Sequence, residues 1–199
     1  MREAIAQAEV KGKPLCVLSL DFQEAFDRIS HQYLFNILRD HGFNDLFIER
    51  IKCMYENAIS SVQINGHIAG PIPTQCSIRQ ACPKRMTLFA LCIDPLLRTT
   101  EQKLPGIRIG NRARKTVVFA NADDVTIFVT TPTGQTTIQD PMQCYGKATE
   151  SRLNLKKSKP LAVGGRSTKT IALNIPYQTE IKILAVTFTS TVEHSMKKR

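Results

Sequence analysis

Two periodicities alternate along the chain. Residues 117–129 read VVFANADDVTIFV, two short apolar runs at 117–120 and 125–129 rich in β-branched and aromatic residues. Asn121-Ala122-Asp123-Asp124 between them predicts a hairpin with two adjacent carboxylates at its tip. Val17-Leu18-Ser19-Leu20 predicts a buried strand that closes on Asp21, with Phe22 following. Helical spacing dominates elsewhere. Residues 1–11 carry Ile5, Ala8 and Val10 as a short stripe, ended by Gly12-Lys13-Pro14. Ser30 caps a predicted helix over 31–41, with Leu34, Ile37 and Leu38 on one face and Gly42 as its stop. Asn44 caps another to about residue 57, turning Phe47, Ile48, Ile51 and Met54 inward.

Residues 60–64 alternate as a strand does, and Asn65-Gly66 is a hairpin turn with a return strand at 67–69 before a Pro/Gly-rich loop at 70–76. Pro83 reads as the start of a helix in which Met86, Leu88, Phe89, Leu91, Ile93, Leu96 and Leu97 are apolar on most sides, which predicts a central buried helix. An apolar pair at 107–109 and a basic run at 111–115 lead into the carboxylate hairpin. Asp140 and Pro141 read as N-cap and first position of a helix to about Arg152, and 159–163 and 181–188 are candidate strands around a turn-rich 164–170. The polar stretch from Thr191 predicts a mobile tail. No repeat, low-complexity block or linker divides the chain, so the expectation is one α/β (α+β) domain over 1–199: a mostly antiparallel sheet with helices packed on one face.

Composition narrows the partners. At 199 residues and 42% hydrophobic the chain can bury a sizeable core. A net charge of +10 favours a polyanionic partner. Cysteines at 16, 53, 76, 82, 92 and 144 show no metal spacing, and with no signal peptide they read as free thiols of an intracellular, reducing compartment, with no disulfide-linked partner. No run approaches the ~20 apolar residues of a membrane span, so no membrane partner is expected.

Adjacent carboxylates on an apolar hairpin have two readings. One is turn chemistry, because Asn and Asp tolerate left-handed backbone and bond locally. The other is a divalent-metal site that presents hard oxygen ligands to a phosphate-bearing substrate. A third acid bears on the choice: Asp21 closes an apolar strand, where an ionised carboxylate is costly unless paired or bound to a cation. Three acids on neighbouring strand ends repel at ~4 kcal/mol per pair at 4 Å and an effective dielectric of 20, and metal ions remove that repulsion.

Asp21-Phe22-x-x-Ala25-Phe26-Asp27 resembles motif A of the reverse transcriptases of non-LTR (LINE-type) retrotransposons, and Ala120-Asn121-Ala122-Asp123-Asp124 resembles their motif C, usually Tyr-Ala-Asp-Asp. Ser77-Ile78-Arg79-Gln80-Ala81-Cys82-Pro83 is similar to motif B, residues 153–159 (LNLKKSK) to motif D, and Ile183-Leu184-Ala185-Val186 to the start of motif E, in the same order and spacing. The resemblance implies a polymerase palm in which Asp21, Asp123 and Asp124, with the backbone carbonyl of Phe22, hold two Mg²⁺ ions (Mn²⁺ as a substitute). It further implies Phe26 as a steric gate against a ribose 2′-hydroxyl, Arg79 and Gln80 along the template or incoming nucleotide, and Lys159 as proton donor to pyrophosphate. Core packing is the competing reading of Phe26, and a solvated basic turn that of residues 156–159. The implied partners are an RNA template, a DNA primer and deoxynucleoside triphosphates. Asp27 reads as a partner for Arg28 or a helix cap, and His31 and His41 receive no role.

Five positions depart from the family pattern. Asn121 replaces an aromatic that supports the primer terminus, Ala81 and Ala185 replace glycines, and Lys84 and Arg85 place positive charge in the first turn of a helix, against its dipole by ~0.3–1 kcal/mol per group. The resemblance covers palm motifs from about Leu15 to Val186 and leaves fingers, thumb and endonuclease without counterparts. Three readings follow: a palm with weakened or lost catalysis in isolation, a basic nucleic-acid-binding remnant without chemistry, and a relic with no selected function.

Overall fold

The computed structural model describes residues 1–78, 83–109, 115–131, 134–164, 173 and 175–190. The elements in chain order are α1 (Arg2–Val10), β1 (Leu15–Leu20), β2 (Phe22–Gln23), α2 (His31–Asp40), α3 (Asp45–Tyr55), β3 (Ile59–Ile64), β4 (His67–Pro73) and α4 (Arg85–Lys103). They continue with β5 (Val118–Asn121), β6 (Asp124–Val129), α5 (Gly134–Thr137), α6 (Gln139–Thr149), β7 (Arg152–Leu153), β8 (Lys159–Val163), β9 (Glu180–Ile183) and β10 (Val186–Thr189).

The run LCVLSL becomes the middle of a four-stranded antiparallel sheet of order β5-β6-β1-β8. A strand with neighbours on both edges and layers on both faces needs apolar residues at successive positions, which is what this run supplies. Cys16, Leu18 and Leu20 join Val125, Ile127 and Val129 in one core, closed by α2, α3, α4 and α6 through Leu34, Ile51, Phe89 and Met142. Leu15 and Val17 turn the other way, to Phe128, Leu161 and Val163. The second core is closed by α1 (Ala4, Ile5, Ala8) and by the β9–β10 hairpin (Ile181, Ile183, Phe188). The helical layer on one face is as the sequence indicates; the small second layer is added by the structure.

Local signals explain most boundaries. The Ser30 hydroxyl accepts from the Tyr33 N–H at 3.2 Å and the Asn44 side chain from the Phe47 N–H at 2.8 Å, each satisfying a helix-start donor. Other boundaries need correction. Pro83 and Lys84 form a turn and α4 starts at Arg85; it is buried through Leu88, Phe89, Cys92, Ile93 and Leu96, while Met86 and Ala90 face solvent, so the helix is apolar-packed on one side and not on most sides. Asp140 is not an N-cap: α6 begins at Gln139 after Ile138, and the Asp140 carboxylate lies in the first turn, where the helix dipole favours it, 3.6 Å from Lys103. That helix stops at Thr149 because Glu150 turns left-handed (φ 62°), freeing Arg152–Leu153 to pair with β2. The expected loop at 70–76 is strand as far as Pro73; its Pro and Gly sit on a two-stranded hairpin edge that tolerates them. Residues 181–188 are not one strand but two, broken at Leu184 and Ala185 with φ of 48° and 64°. The short α5 has no counterpart in the sequence reading. The mobile tail expected from Thr191 and most of the basic run at 111–115 lie outside the described residues.

Candidate functional site

The register of the central strands brings the distant acids together. Leu20 pairs with Val125, so Asp21, the next residue on one strand, lies beside Asp124, the preceding residue on the other. Asn121 pairs with Asp124 to close β5–β6 over the two-residue turn Ala122-Asp123, with Ala122 at φ 56°. Hairpins whose first turn residue has positive φ match strand twist, and an alanine there is strained by about 1–2 kcal/mol where glycine, and to a lesser degree Asn or Asp, is tolerated. The turn thus presents Asp123 and Asp124 at the start of β6, whose remaining residues, 125–129, are buried, while β5 is largely exposed.

Asp21 is fixed through its backbone. Its N–H donates to the Ser158 hydroxyl at 3.1 Å, and its carbonyl accepts from the Asn154 N–H at 2.8 Å. Both partners belong to a turn that closes on itself, the Asn154 side chain accepting from the Lys157 N–H at 3.2 Å and its carbonyl from the Ser158 N–H at 2.8 Å. The carboxyl of Asp124 is held above its ordinary range first by burial and then by the negative charges of Asp123 and Asp21. All three acids therefore share one electrostatic environment, and a cation there would reverse the shift.

Asp21, Phe22, Phe26, Asp27, Arg85, Asp123 and Lys157 line a cavity of about 500 Å³ whose wall carries both carboxylates and cations. Asp124 opens instead on a separate cavity of about 220 Å³ with Phe119, Asn121 and Leu184. Among the described residues no three His, Cys, Asp or Glu side chains form a ready-made cation cage. The donor set is nevertheless hard oxygen, from carboxylates at neighbouring strand ends, and suits Mg²⁺ or Mn²⁺ more than softer metals.

The other sequence-predicted residues fall around this cavity unevenly. Phe22 buries its ring edge-on against Tyr145 at 5.8 Å while its backbone pairs with Leu153. Phe26 is half-buried, 4.3 Å from the Phe89 ring centroid and 4.4 Å from the Arg85 guanidinium. Lys159 is exposed on β8 opposite Ser19 and does not line the cavity, whereas Lys157 does. Arg79 and Gln80 lie outside the described residues. Asp27 does not partner Arg28: Glu24, at φ 48°, starts a turn that folds Arg28 back to an ion pair with Glu24 at 3.1 Å. Asp27 instead accepts from the Ser77 hydroxyl at 3.0 Å and lies 3.6 Å from Arg85.

Sequence reasoning missed Asn154 and Ser158 as the clamp on Asp21, Ser77 on Asp27, and Arg85 as a cavity wall. An Asn-x-x-x-Ser turn next to the Lys cluster was the available signal for the first pair. Arg85 was visible as a charge out of place, without its contact to Phe26.

Residues 2–188 match the family model described as reverse transcriptase (RNA-dependent DNA polymerase). The chain is 32% identical over 164 residues to the transposon TX1 uncharacterized 149 kDa protein of Xenopus laevis, covering 82% of this chain and 12% of that protein. It is 27% identical over 150 residues to the retrovirus-related Pol polyprotein from the type-2 retrotransposable element R2DM of Drosophila melanogaster, covering 75% and 14%. The chain thus spans about an eighth of the length of these relatives. Among solved structures, telomerase from Candida albicans in complex with a TWJ fragment of telomeric RNA superposes with a TM-score of 0.60 at 12% identity, over 95% of this chain and 32% of that one, a likeness of fold.

Proposed function

The chain belongs to the reverse transcriptase family, with retrotransposon polyproteins among its relatives, and we propose that its carboxylate end is the nucleotidyl-transfer site of an RNA-directed DNA polymerase palm. The observation that carries this reading is the convergence of Asp21 with Asp123 and Asp124 at neighbouring strand ends of one sheet, beside a cavity that Arg85 and Lys157 also line.

In this reading Asp21, Asp123, Asp124 and the Phe22 carbonyl hold two divalent ions. When bound, such ions lower the pKa of a primer 3′-hydroxyl and neutralise charge on a triphosphate. The chain's own residues set the geometry. Asn154 and Ser158 hold the Asp21 backbone, the β5–β6 turn places Asp123, and Phe26 lines the cavity where a sugar would enter. Lys157, at the cavity wall, is better placed than Lys159 to meet phosphate oxygens or to give a proton to a leaving pyrophosphate. For Arg79 and Gln80, which lie outside the described residues, the family resemblance implies a role along the template or incoming nucleotide. An RNA template, a DNA primer and deoxynucleoside triphosphates are the substrates.

A second reading, nucleic-acid binding with little turnover, is favoured by Arg85. Its guanidinium lies on Phe26 and beside Asp27, so an incoming sugar has to displace a cation that no small residue at this position would place there. Primer extension on an RNA template with Mg²⁺ or Mn²⁺ tests both. The first reading expects extension that disappears in Asp123→Ala/Asp124→Ala and increases in Arg85→Ser. Extension absent from the parent and from Arg85→Ser would leave binding without chemistry.

A further inference from the structure

At the other end of β1 from Asp21, about 20 Å away along six strand residues, lies a second cavity of about 410 Å³. Lys11, Lys13, Arg108 and Lys115 line it, and no carboxylate does. None of the ion pairs among the described residues uses any of these four cations, although Arg28, Lys52, Arg85, Arg98 and Lys103 are each paired elsewhere.

The cations are presented by hydrogen-bonded backbone and not by free loops. Past the end of α1, the Gly12 N–H donates to Glu9 at 3.0 Å and the Lys13 N–H to Ala8 at 2.9 Å, the double bond of a helix-ending left-handed glycine turn, with Gly12 at φ 57°. This fixes Lys11 and Lys13 on one wall. On the facing wall Ile107 and Thr116 exchange two bonds of 2.8 and 2.7 Å, which fixes the adjoining Arg108 and Lys115. That close pairing needs Gly106, where a Cβ would stand 2.7 Å from Val117 and 2.8 Å from the Thr116 carbonyl. The Gln7 side chain stands between the walls, its amide placed to donate to the Arg108 carbonyl and accept from the Lys11 ammonium once its nitrogen and oxygen are assigned to suit those partners. The floor is apolar, from Ala8, Pro14 and Leu15.

Like charges held by rigid elements around one concavity repel one another unless an anion joins them. We propose that this cavity binds the phosphate backbone of single-stranded nucleic acid, the cations taking phosphates and the apolar floor accommodating part of a sugar or base. It is a contact separate from the carboxylate site and needs neither metal nor catalysis. A strand held at both sites would run the length of the central sheet.

The test is fluorescence anisotropy of a labelled oligouridylate with the full chain, in chelator so that the carboxylate site has no part. Lys11→Glu/Lys13→Glu is compared with Arg39→Glu/Arg50→Glu, the same charge change at exposed positions on α2 and α3. The proposal expects affinity about tenfold weaker at low salt for the first pair, and a log–log salt slope shallower by ~1.4, two contacts at ~0.7 each. Acylation of the parent provides a readout without substitution: RNA should protect Lys11, Lys13 and Lys115 while Lys182 on β9 stays reactive. Equal losses in the two variants, lack of protection at the three lysines, or no RNA affinity in the parent would each overturn the proposal.

Discussion

The molecule contains two antiparallel hairpins that sequence patterning describes in almost the same words, β3–β4 and β5–β6. Each has β-branched residues, a two-residue turn and positive φ at the turn. In β5–β6 the second strand is locked against β1 and positions 125–129 are buried. In β3–β4 every residue is exposed, including Ile64 at 63% and Ile68 at 72%, and the hairpin pairs with no further strand among the described residues. The difference teaches where rigidity comes from. A two-stranded ribbon is marginal by itself, and a third strand with packed faces makes it a platform. Carboxylates that must hold fixed positions against their own repulsion sit on the platform.

The largest effect expected from disturbing that contrast is chemical. Asp123→Ala should lower metal-dependent primer extension at least about a hundredfold, an effect of several kcal/mol on charge stabilisation, while the thermal midpoint stays within a few degrees of the parent. Removing the support under the site comes next: Ile127→Ala, in the fully buried part of β6, should cost about 2–5 kcal/mol in denaturant unfolding. Turn substitutions should have opposite signs in the two hairpins. Ala122→Gly relieves a left-handed alanine and should stabilise by about 1 kcal/mol, whereas Gly66→Ala, at φ 84°, should destabilise by about the same amount.

A pH effect sharpens the electrostatic half of the comparison. The native carboxyl of Asp124 is raised above its unfolded value, so the folded state binds the extra proton, and stability falls as pH rises from the ordinary carboxylate range through the raised one. Asp124→Asn should therefore match or exceed the parent in thermal stability at neutral pH, with the difference vanishing in acid below the ordinary value. A lower midpoint for this variant at neutral pH would mean that the negative charge is satisfied by a contact and not strained. The smallest effect belongs to β3–β4, where Ile64→Ser and Ile68→Ser should each change unfolding free energy by under about 0.5 kcal/mol.

How much of this was legible in the sequence depended on the range of the interaction. Ser30, Asn44 and Asn65-Gly66 announced themselves because caps and turns are satisfied within a few residues. The carboxylate hairpin and the buried strand before Asp21 were equally plain from apolar runs. The clamp of Asn154 and Ser158 on Asp21 was not, because it spans 137 residues and uses side chains common in any turn. Asp27 misled for the same reason: its neighbour Arg28 was the local choice, but the turn at Glu24 took Arg28 away and left Asp27 to Ser77 and Arg85, both far along the chain. The two strands at Leu184 and Ala185 were hidden because neither residue type signals a positive φ. Ala185, where the family resemblance implies a glycine, is one of these two left-handed residues, a conformation that a glycine adopts without strain.

The central claim is that Asp21, Asp123 and Asp124 act as one cation site. Its most direct test is Mn²⁺ binding followed by electron paramagnetic resonance in the presence of a deoxynucleoside triphosphate, comparing the parent with Asp21→Asn and with Asp123→Asn/Asp124→Asn. The account predicts protein-bound Mn²⁺ in the parent that weakens as pH falls toward the raised Asp124 range and is lost in both variants. Binding that is unchanged when Asp21 is replaced would contradict it, because the strand register would then have brought that acid to the hairpin without giving it a share in the site.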